Sequence, residues 1–176
     1  MKLPIYLAQD TIQSRVQDLA NQIGREGENL LFIAVMKGAG VFFADLIRSL
    51  PFPLRHTSEY EFVELKSYKG TQAVSEPYFV KTPPKSCKGK NVIIVDGIVD
   101  TGKTLKTLLN VLPEQEPASI KTCVLLDKKC KRATNVLLDY YGFIIPDEFV
   151  IGYGLDYNDK YRCLPDIHIY DGSKET

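Results

Sequence analysis

The sequence predicts an α/β protein in which a central, mainly parallel sheet is flanked by helices. Three segments rich in apolar and β-branched residues, 30–36, 91–95 and 122–126, have the length of buried strands. Glycine-containing turns and helical patterns follow the first two of them. Because strands that alternate with helices form right-handed crossovers, we expect parallel strands with ligand-binding turns at their carboxyl ends.

Length and composition favour one globular domain. Of the 176 residues, 44% are hydrophobic and 25% are charged, with 22 basic and 22 acidic side chains. This balance indicates neither a disordered chain nor a basic surface for nucleic acid. We expect a cytoplasmic protein without membrane association, because the chain shows neither a signal-peptide core nor an apolar run of membrane-spanning length. The four cysteines form no CxxC pair, which argues against a zinc site or disulfides.

The first helix is expected near the amino terminus. Asp10 is placed as its cap and Gly24 at its end, and the apolar residues between them recur at helical spacing. One face of this helix should therefore pack on the core.

The middle of the chain is expected to contain a second helix and a loop. Segment 41–50 is helical in pattern, 54–65 is strand-like, and 66–77 is polar with one glycine and is predicted to be a loop. A third helix is expected over 103–112, where Pro113 stops it.

The turn before this third helix carries the strongest chemical signal, within the sequence VIIVDGIVDTGKT of residues 92–104. The residues suited to bind a phosphate are Asp100, Thr101, Gly102, Lys103 and Thr104. Backbone N–H groups and the positive end of the helix favour an anion here, and the glycine permits close approach of the main chain. An ordinary strand-to-helix turn with helix-capping residues is the alternative interpretation.

The same turn also matches a nucleotide-binding pattern. Segment 97–104, GIVDTGKT, satisfies G-x-x-x-x-G-K-[ST], in which Lys103 contacts phosphates and Thr104 a magnesium ion. The protein would then be a P-loop NTPase. Asp100 argues against this interpretation, because it places a carboxylate within a loop that surrounds a triphosphate.

Four further segments give the chain a resemblance to the hypoxanthine-guanine branch of the type I phosphoribosyltransferases. They are Lys37-Gly38 after the first strand, Ser67-Tyr68 in LKSYKG, Lys128 after CVLLD, and the segment 149–162, FVIGYGLDYNDKYR. Together with VIIVDGIVDTGKT they stand in the family's order, from about the first strand to Arg162.

The resemblance implies the type I phosphoribosyltransferase fold in one domain over 1–176. A core would span roughly 8–150, and the N-terminal residues and roughly 151–176 would form a small hood. The implied activity is purine salvage: hypoxanthine or guanine reacts with phosphoribosyl pyrophosphate (PRPP) to give IMP or GMP and pyrophosphate. A homodimer or homotetramer is also implied.

The resemblance assigns roles at the PRPP end of the site. The segment from Asp100 to Thr104 would hold the 5-phosphate, and Asp100 would also act as general base near N7 of the purine. Lys37 and Gly38 would form the pyrophosphate loop, where retained backbone strain permits an unusual peptide bond, even a cis one. Arg162 would contact pyrophosphate.

The resemblance also implies Mg²⁺ as cofactor. Asp96 resembles an acid that faces the ribose hydroxyls and the bound metal, and Asp156 resembles the acid beside a second magnesium ion. Taken alone, Asp156 or Arg162 would more commonly be a solvated surface charge.

At the base end, Lys128 would donate to O6, Phe149 would stack on the ring and the Val150 main chain would contact the ring edge. A buried cationic donor favours the 6-oxo group of hypoxanthine and guanine over the 6-amino group of adenine. Ser67 and Tyr68 would begin a loop that closes over the site.

One position departs from the family pattern. A second acid directly follows the one represented by Asp96 in the family, whereas this chain has Gly97. The missing carboxylate is predicted to weaken PRPP binding by about 1.5–3 kcal/mol, so Gly97→Asp should lower the KM for PRPP. The same gap would also suit a third interpretation, a phosphoribosyltransferase fold kept as a regulatory, nucleotide-sensing or RNA-binding protein.

Overall fold

The computed structural model of the chain describes residues 3–69, 72–83 and 86–171, without the side chains of 67–69 and 72–76. The elements in chain order are β1 (Ile5–Leu7), α1 (Gln9–Ile23), β2 (Leu30–Met36), α2 (Gly40–Ser49), α3 (Phe52–Thr57), β3 (Glu59–Lys69), β4 (Gln72–Lys81), β5 (Asn91–Val99), α4 (Lys103–Val111), β6 (Ser119–Asp127), β7 (Tyr140–Ile144), β8 (Val150–Ile151) and β9 (Ile167–Ile169). No helix in these described ranges is long and apolar enough to span a bilayer.

The main sheet contains six strands in the order β4-β3-β2-β5-β6-β7. Neighbours from β3 to β7 are parallel, and β4 at the edge is antiparallel to β3. The predicted mainly parallel sheet is therefore confirmed. Because β2, β5 and β6 run in the same direction, the turns after them lie along one edge of the sheet.

Alternate residues of β2 pack on opposite faces of the sheet. Phe32 and Ala34 belong to a hydrophobic cluster with residues of α1 and α2, whereas Leu31 and Ile33 belong to a second cluster with residues of α4. Successive side chains of a strand point to opposite faces, and here both faces are covered. This explains why β2 is a continuous apolar run.

A smaller antiparallel sheet in the order β1-β9-β8 joins the two ends of the described chain. Val150 of β8 and Ile167 of β9 pack in the same cluster as α1 and α2. The two sheets therefore share a core. The division into a core and a hood stays a prediction.

The first two helical regions differ from the sequence-based expectation. The N-cap of α1 is Ala8, with φ −73° and ψ 149°, and Asp10 lies inside the first turn. Its carboxylate can interact favourably with the positive end of the helix dipole, although Asp10 is not the N-cap. Leu54, placed in a strand-like segment, lies in α3, and β3 begins only at Glu59.

Two segments that were predicted to be a loop or a turn are strand in the structure. The expected loop 66–77 is largely part of β3 and β4, which pair with each other, because antiparallel pairing satisfies the backbone groups of polar residues as well as apolar ones. Strand β5 continues to Val99, since its pairing with β6 extends to Asp127. Asp96 and Gly97 therefore lie in a strand rather than in a turn.

Candidate active site

The loop between β2 and α2 begins with a cis peptide bond between Met36 and Lys37. It is an unusual peptide bond of the kind that the sequence analysis allowed for in this loop. The Gly40 N–H donates to the Lys37 carbonyl at 3.0 Å, and the Ala39 N–H donates to the Val35 carbonyl at 3.2 Å. These bonds tie the Lys37-Gly38 loop to the end of β2 and the start of α2.

The loop between β5 and α4 contains only Asp100, Thr101 and Gly102. Gly102 has φ +82°, a conformation that suits glycine, and it precedes the first turn of α4. A cavity of about 280 Å³ opens at this helix end, and its lining includes every residue predicted to bind the 5-phosphate. Helix N-termini favour anions, so this cavity can hold a phosphate.

A larger cavity of about 730 Å³ adjoins it, with Ile98 and Asp100 in the lining of both. Its lining brings together residues from five separate segments. They are Lys37, Gly38, Ile98, Asp100, Lys128, Lys131, Asp147, Phe149, Val150, Leu155, Asp156 and Arg162. The predicted pyrophosphate loop, base-contacting residues and general base therefore meet at one edge of the sheet, together with Asp156, the acid predicted to lie beside magnesium.

The two acids of the β5 region have different surroundings. Asp96 is buried, and its Oδ1 accepts a hydrogen bond from the Gly97 N–H at 2.7 Å. Burial raises the pKa of Asp96 to about 7, although the N–H groups of Gly97 and Ile98 act in the opposite direction. Asp100 has a buried Oδ1 without a hydrogen-bond partner. A buried polar atom of this kind is available to a ligand.

Arg162 is held by three oxygen atoms. Its guanidinium donates to the Gly154 carbonyl at 2.8 Å, and it pairs with Asp156 at 2.7 Å and with Asp159 at 3.2 Å. Asp159 also lies 3.8 Å from the Lys37 ammonium. Its hydrogen bond from Arg162 and the Lys37 charge lower the pKa of Asp159. The two expected pyrophosphate cations are thus linked through one carboxylate.

The base end of the cavity is lined by a buried cation and a half-exposed ring. Lys128 is 5% exposed, and its main-chain N–H donates to the Val99 carbonyl at 2.9 Å. Phe149 is 48% exposed and lies 5.8 Å from the Tyr157 ring centroid and 6.1 Å from that of Tyr170. Its open face can accept a planar base.

Sequence reasoning missed a second charged pair in this cavity. The Lys131 ammonium lies 2.8 Å from the Asp147 carboxylate. This contact and the charge of Asp100 raise the pKa of Lys131. The pair could have been suspected from its position, because each residue lies two or three places from a predicted base contact, Lys128 or Phe149.

For two predicted residues, the structure describes the backbone only. The backbone of Ser67 and Tyr68 lies in β3, where Tyr68 pairs with Ala73, but their side chains lie outside the described residues. Their role in closing the site stays a prediction.

Gly97 makes a close backbone contact with the Lys37-Gly38 loop. A Cβ at position 97 would lie 2.7 Å from the Gly38 oxygen and 3.0 Å from its carbonyl carbon. The structure therefore contradicts the premise that a side chain fits here. We expect Gly97→Asp to weaken PRPP binding rather than to strengthen it.

The P-loop interpretation fails on the same geometry. In the segment 97–104, Ile98 and Val99 are paired with β6, and Gly97 lies between strand residues. A phosphate-binding P-loop needs these positions as a loop whose N–H groups surround the phosphates. Paired strand residues cannot supply that loop.

Comparison with known proteins decides the family. The phosphoribosyl transferase domain matches residues 5–158. The chain belongs to this family. The hypoxanthine-guanine-xanthine phosphoribosyltransferase of Tritrichomonas foetus is 39% identical over 171 residues, which cover 96% of this chain and 91% of that protein. The hypoxanthine-guanine phosphoribosyltransferase of Mycobacterium avium is 37% identical over 176 residues, covering 95% of this chain and 85% of that one.

Solved phosphoribosyltransferase structures agree with the fold. The crystal structure of a hypoxanthine phosphoribosyltransferase from Staphylococcus aureus matches with a TM-score of 0.88 and 32% identity, covering 98% of this chain and 94% of that one. The expected type I phosphoribosyltransferase fold and the resemblance to the hypoxanthine-guanine branch are confirmed. The protein is a purine-salvage phosphoribosyltransferase, and the comparisons give no support to a regulatory protein or an NTPase.

Proposed function

We propose that the protein transfers the ribose 5-phosphate of PRPP to N9 of hypoxanthine or guanine. The bond from the ribose carbon to the pyrophosphate oxygen breaks, and the bond from that carbon to N9 forms. One observation carries this proposal: Lys128 and Phe149 line the same cavity as Lys37 and Arg162. A single space thus offers contacts for a planar base and for a leaving anion.

The base end is suited to a 6-oxopurine. Lys128 donates to O6, Phe149 stacks on the ring, and the Val150 main chain contacts the ring edge. Because Lys128 is buried, a 6-amino group in its place would leave the ammonium without an acceptor, at a cost of about 1–3 kcal/mol or more. Hypoxanthine and guanine are therefore favoured over adenine.

Asp100 handles the proton of the purine. Its buried Oδ1 has no partner within the described protein, and the residue lines both the base cavity and the phosphate cavity. We assign it as the general base that accepts the proton at N7 while N9 bonds to the ribose. Such proton transfers contribute about 10²–10⁴ in rate.

The anionic groups of PRPP are held at two places. The start of α4, from Asp100 to Thr104, holds the 5-phosphate through N–H groups and hydroxyls. Lys37, the Gly38 main chain and Arg162 face the pyrophosphate, whose negative charge increases as it departs. Positive charge placed in advance stabilises that departure.

The acids fit a magnesium ion that arrives with PRPP. Within the described ranges, no three acidic, histidine or cysteine side chains gather as a complete metal site. Magnesium is commonly bound by one or two carboxylates together with substrate phosphates and waters. Asp96 and Asp156, which line the two adjoining cavities, would each contribute such a carboxylate. When bound, the ion would supply charge that neutralises the pyrophosphate.

Closure and assembly complete the proposal. The hairpin of β3 and β4, which carries Ser67 and Tyr68, would close over PRPP and exclude water from the reacting ribose carbon. The small sheet β1-β9-β8 would act as the hood, because β8 begins at the base-contacting Val150. We propose a homodimer or homotetramer located in the cytoplasm.

The test is a pyrophosphate-release assay with magnesium PRPP and separate purine and pyrimidine bases. We expect turnover with hypoxanthine and guanine and little with adenine or orotate. Equal or better turnover of adenine would refute the base assignment. ATP hydrolysis without any PRPP-dependent reaction would refute the transferase proposal as a whole.

A further inference from the structure

Three backbone segments meet at the carbonyl group of Gly38. A Cβ built on Gly97 of β5 would lie 2.7 Å from the Gly38 oxygen, and a Cβ built on Gly154 would lie at the same distance from it. Non-bonded carbon and oxygen atoms do not pack this closely without strain. Both positions therefore need glycine, and Gly38 lies against two other backbones.

The two glycines cannot easily retreat from this contact. Gly97 lies between Asp96 and Ile98, which pair with residues of β6. The Gly154 N–H donates to the Arg162 carbonyl at 2.9 Å, while its own carbonyl accepts from the Arg162 guanidinium at 2.8 Å.

A side chain next to Gly154 fixes its segment further. The Tyr153 hydroxyl lies 2.6 Å from the Asp45 carboxylate of α2, the helix that follows the Gly38 loop. The segment 152–155 and the Gly38 loop are thus anchored on the same helix. A group added at Gly154 would have to displace the loop or break this anchor.

Each of the three segments carries a group proposed to act on PRPP. Lys37 precedes Gly38, Asp96 precedes Gly97, and Arg162 is hydrogen-bonded to Gly154 in both directions. The position of the Gly38 peptide relative to Gly97 and Gly154 therefore sets the distances among the Lys37 ammonium, the Asp96 carboxylate and the Arg162 guanidinium. Errors of about 1 Å in such separations can cost about 100-fold in rate.

We propose that Gly97 and Gly154 are positioning residues that hold the Gly38 peptide where the pyrophosphate end of PRPP is bound. This inference rests on the proposed function and deepens it. It also gives Gly97 a role: the position that lacks the family's second acid admits the Gly38 carbonyl instead.

The main test is Gly97→Ala, because the φ of Gly97 lies outside the left-handed range and the added methyl group tests the contact alone. We expect the KM for PRPP and the Kd for magnesium pyrophosphate to rise about 10- to 100-fold. The KM for hypoxanthine should change by less than about threefold, since the base contacts are made by other residues. Gly154→Ala should act in the same direction, with additional strain from its φ of +94°.

One alanine substitution serves as the control. A Cβ at Gly142 of β7 would lie 2.4 Å from the Leu125 oxygen, so Gly142→Ala creates a similar backbone clash in the same sheet. We expect Gly142→Ala to lower the melting temperature without raising the Kd for magnesium pyrophosphate. An equal rise in Gly142→Ala would show general destabilisation and overturn the inference.

Gly97→Asp separates the two explanations of this position. If a carboxylate is what the site lacks, the KM for PRPP should fall; if the backbone contact matters, it should rise as in Gly97→Ala. A fall would overturn the positioning role.

A measurement on the unaltered protein avoids any folding defect of the variants. In protein containing isotope-labelled glycine, magnesium pyrophosphate should shift the amide resonances of Gly38, Gly97 and Gly154, and leave those of Gly27 and Gly142 in place. Unmoved Gly97 and Gly154 resonances would refute the inference. Failure of this inference can be told apart from failure of the proposed function. If the natural chain turns over hypoxanthine but Gly97→Ala and Gly154→Ala bind pyrophosphate normally, only this inference is refuted.

Discussion

The two ends of the active-site cavity are built differently. At the pyrophosphate end, contacts between main-chain segments set the spacing: the Gly38 carbonyl lies against the backbones of Gly97 and Gly154, with contacts that leave no room for a methyl group. The base end depends on side chains: Lys128 is buried, and Phe149 is half exposed. The first arrangement can change little, whereas the second can be altered one side chain at a time.

This difference matches the chemistry of the two substrates. PRPP is the same in every reaction of this kind, and its phosphates are held by N–H groups and fixed charges. The base varies, and its choice depends on a hydrogen bond to one exocyclic group. We therefore expect substitutions at the two ends to affect different kinetic constants.

The largest effect should come from Asp100, which lines both cavities. Asp100→Asn keeps the size of the side chain but cannot accept a proton, so kcat should fall about 10²–10⁴-fold while the KM for PRPP changes little. Steady-state kinetics with hypoxanthine measure both constants. Asp147→Asn is the control, because it removes another carboxylate of the same cavity that is half exposed and paired with Lys131. An unchanged kcat in Asp100→Asn would refute its role as base.

Lys128→Ala should weaken recognition of the base without affecting PRPP binding. Without the buried ammonium, kcat/KM for hypoxanthine should fall about 10- to 100-fold, whereas that for adenine should fall less. The KM for PRPP should stay close to its original value. The matched control is Lys129→Ala, which removes the same charge from an exposed neighbour. Equal losses for hypoxanthine and adenine would show that Lys128 does not contact O6.

The base end and the strands that precede it could be predicted from the sequence more fully than the pyrophosphate end. The strands β2, β5 and β6 were predictable because buried parallel strands are continuous apolar runs. Once they were placed, the residues after them had to share one edge, which is why Lys37, Asp100 and Lys128 line one cavity. The side-chain end of the site follows largely from local sequence.

The backbone end could not be predicted in the same way. Gly38, Gly97 and Gly154 belong to distant segments, and no local pattern states that they touch. The β3-β4 hairpin was missed for a related reason, since pairing between strands satisfies the backbone of a polar segment that alone resembles a loop. Tertiary contact decided both features.

Tyr157→Leu should have a moderate effect at the base end. Tyr157 meets the Phe149 ring edge-on at 5.8 Å and the Tyr170 ring at 4.6 Å. Loss of the ring should let Phe149 change its orientation, so the KM for hypoxanthine should rise about 2- to 10-fold with kcat preserved. Tyr161→Leu is the control, because it removes a ring contact with Tyr170 rather than with Phe149. A rise in the KM for PRPP instead would show that Tyr157 acts on the pyrophosphate end.

The smallest effect concerns Asp159, a carboxylate of the pyrophosphate end that we expect to compete with the substrate. Its carboxylate is 77% exposed and lies 3.8 Å from the Lys37 ammonium and 3.2 Å from the Arg162 guanidinium. Pyrophosphate must compete with this carboxylate for the same cations. Asp159→Asn should therefore lower the KM for PRPP by about twofold at low ionic strength, because exposed ion pairs are weak.

The salt dependence makes this last prediction specific. Asparagine tolerates the positive φ of 59° at this position, so the backbone should keep its course, including the N–H bond to Asp156 at 2.9 Å. The difference between Asp159→Asn and the natural chain should shrink as salt rises from about 20 to 200 mM, since screening weakens exposed pairs. A KM that instead increases in Asp159→Asn, at either salt concentration, would show that Asp159 aligns Lys37 and Arg162 for pyrophosphate rather than competing with it.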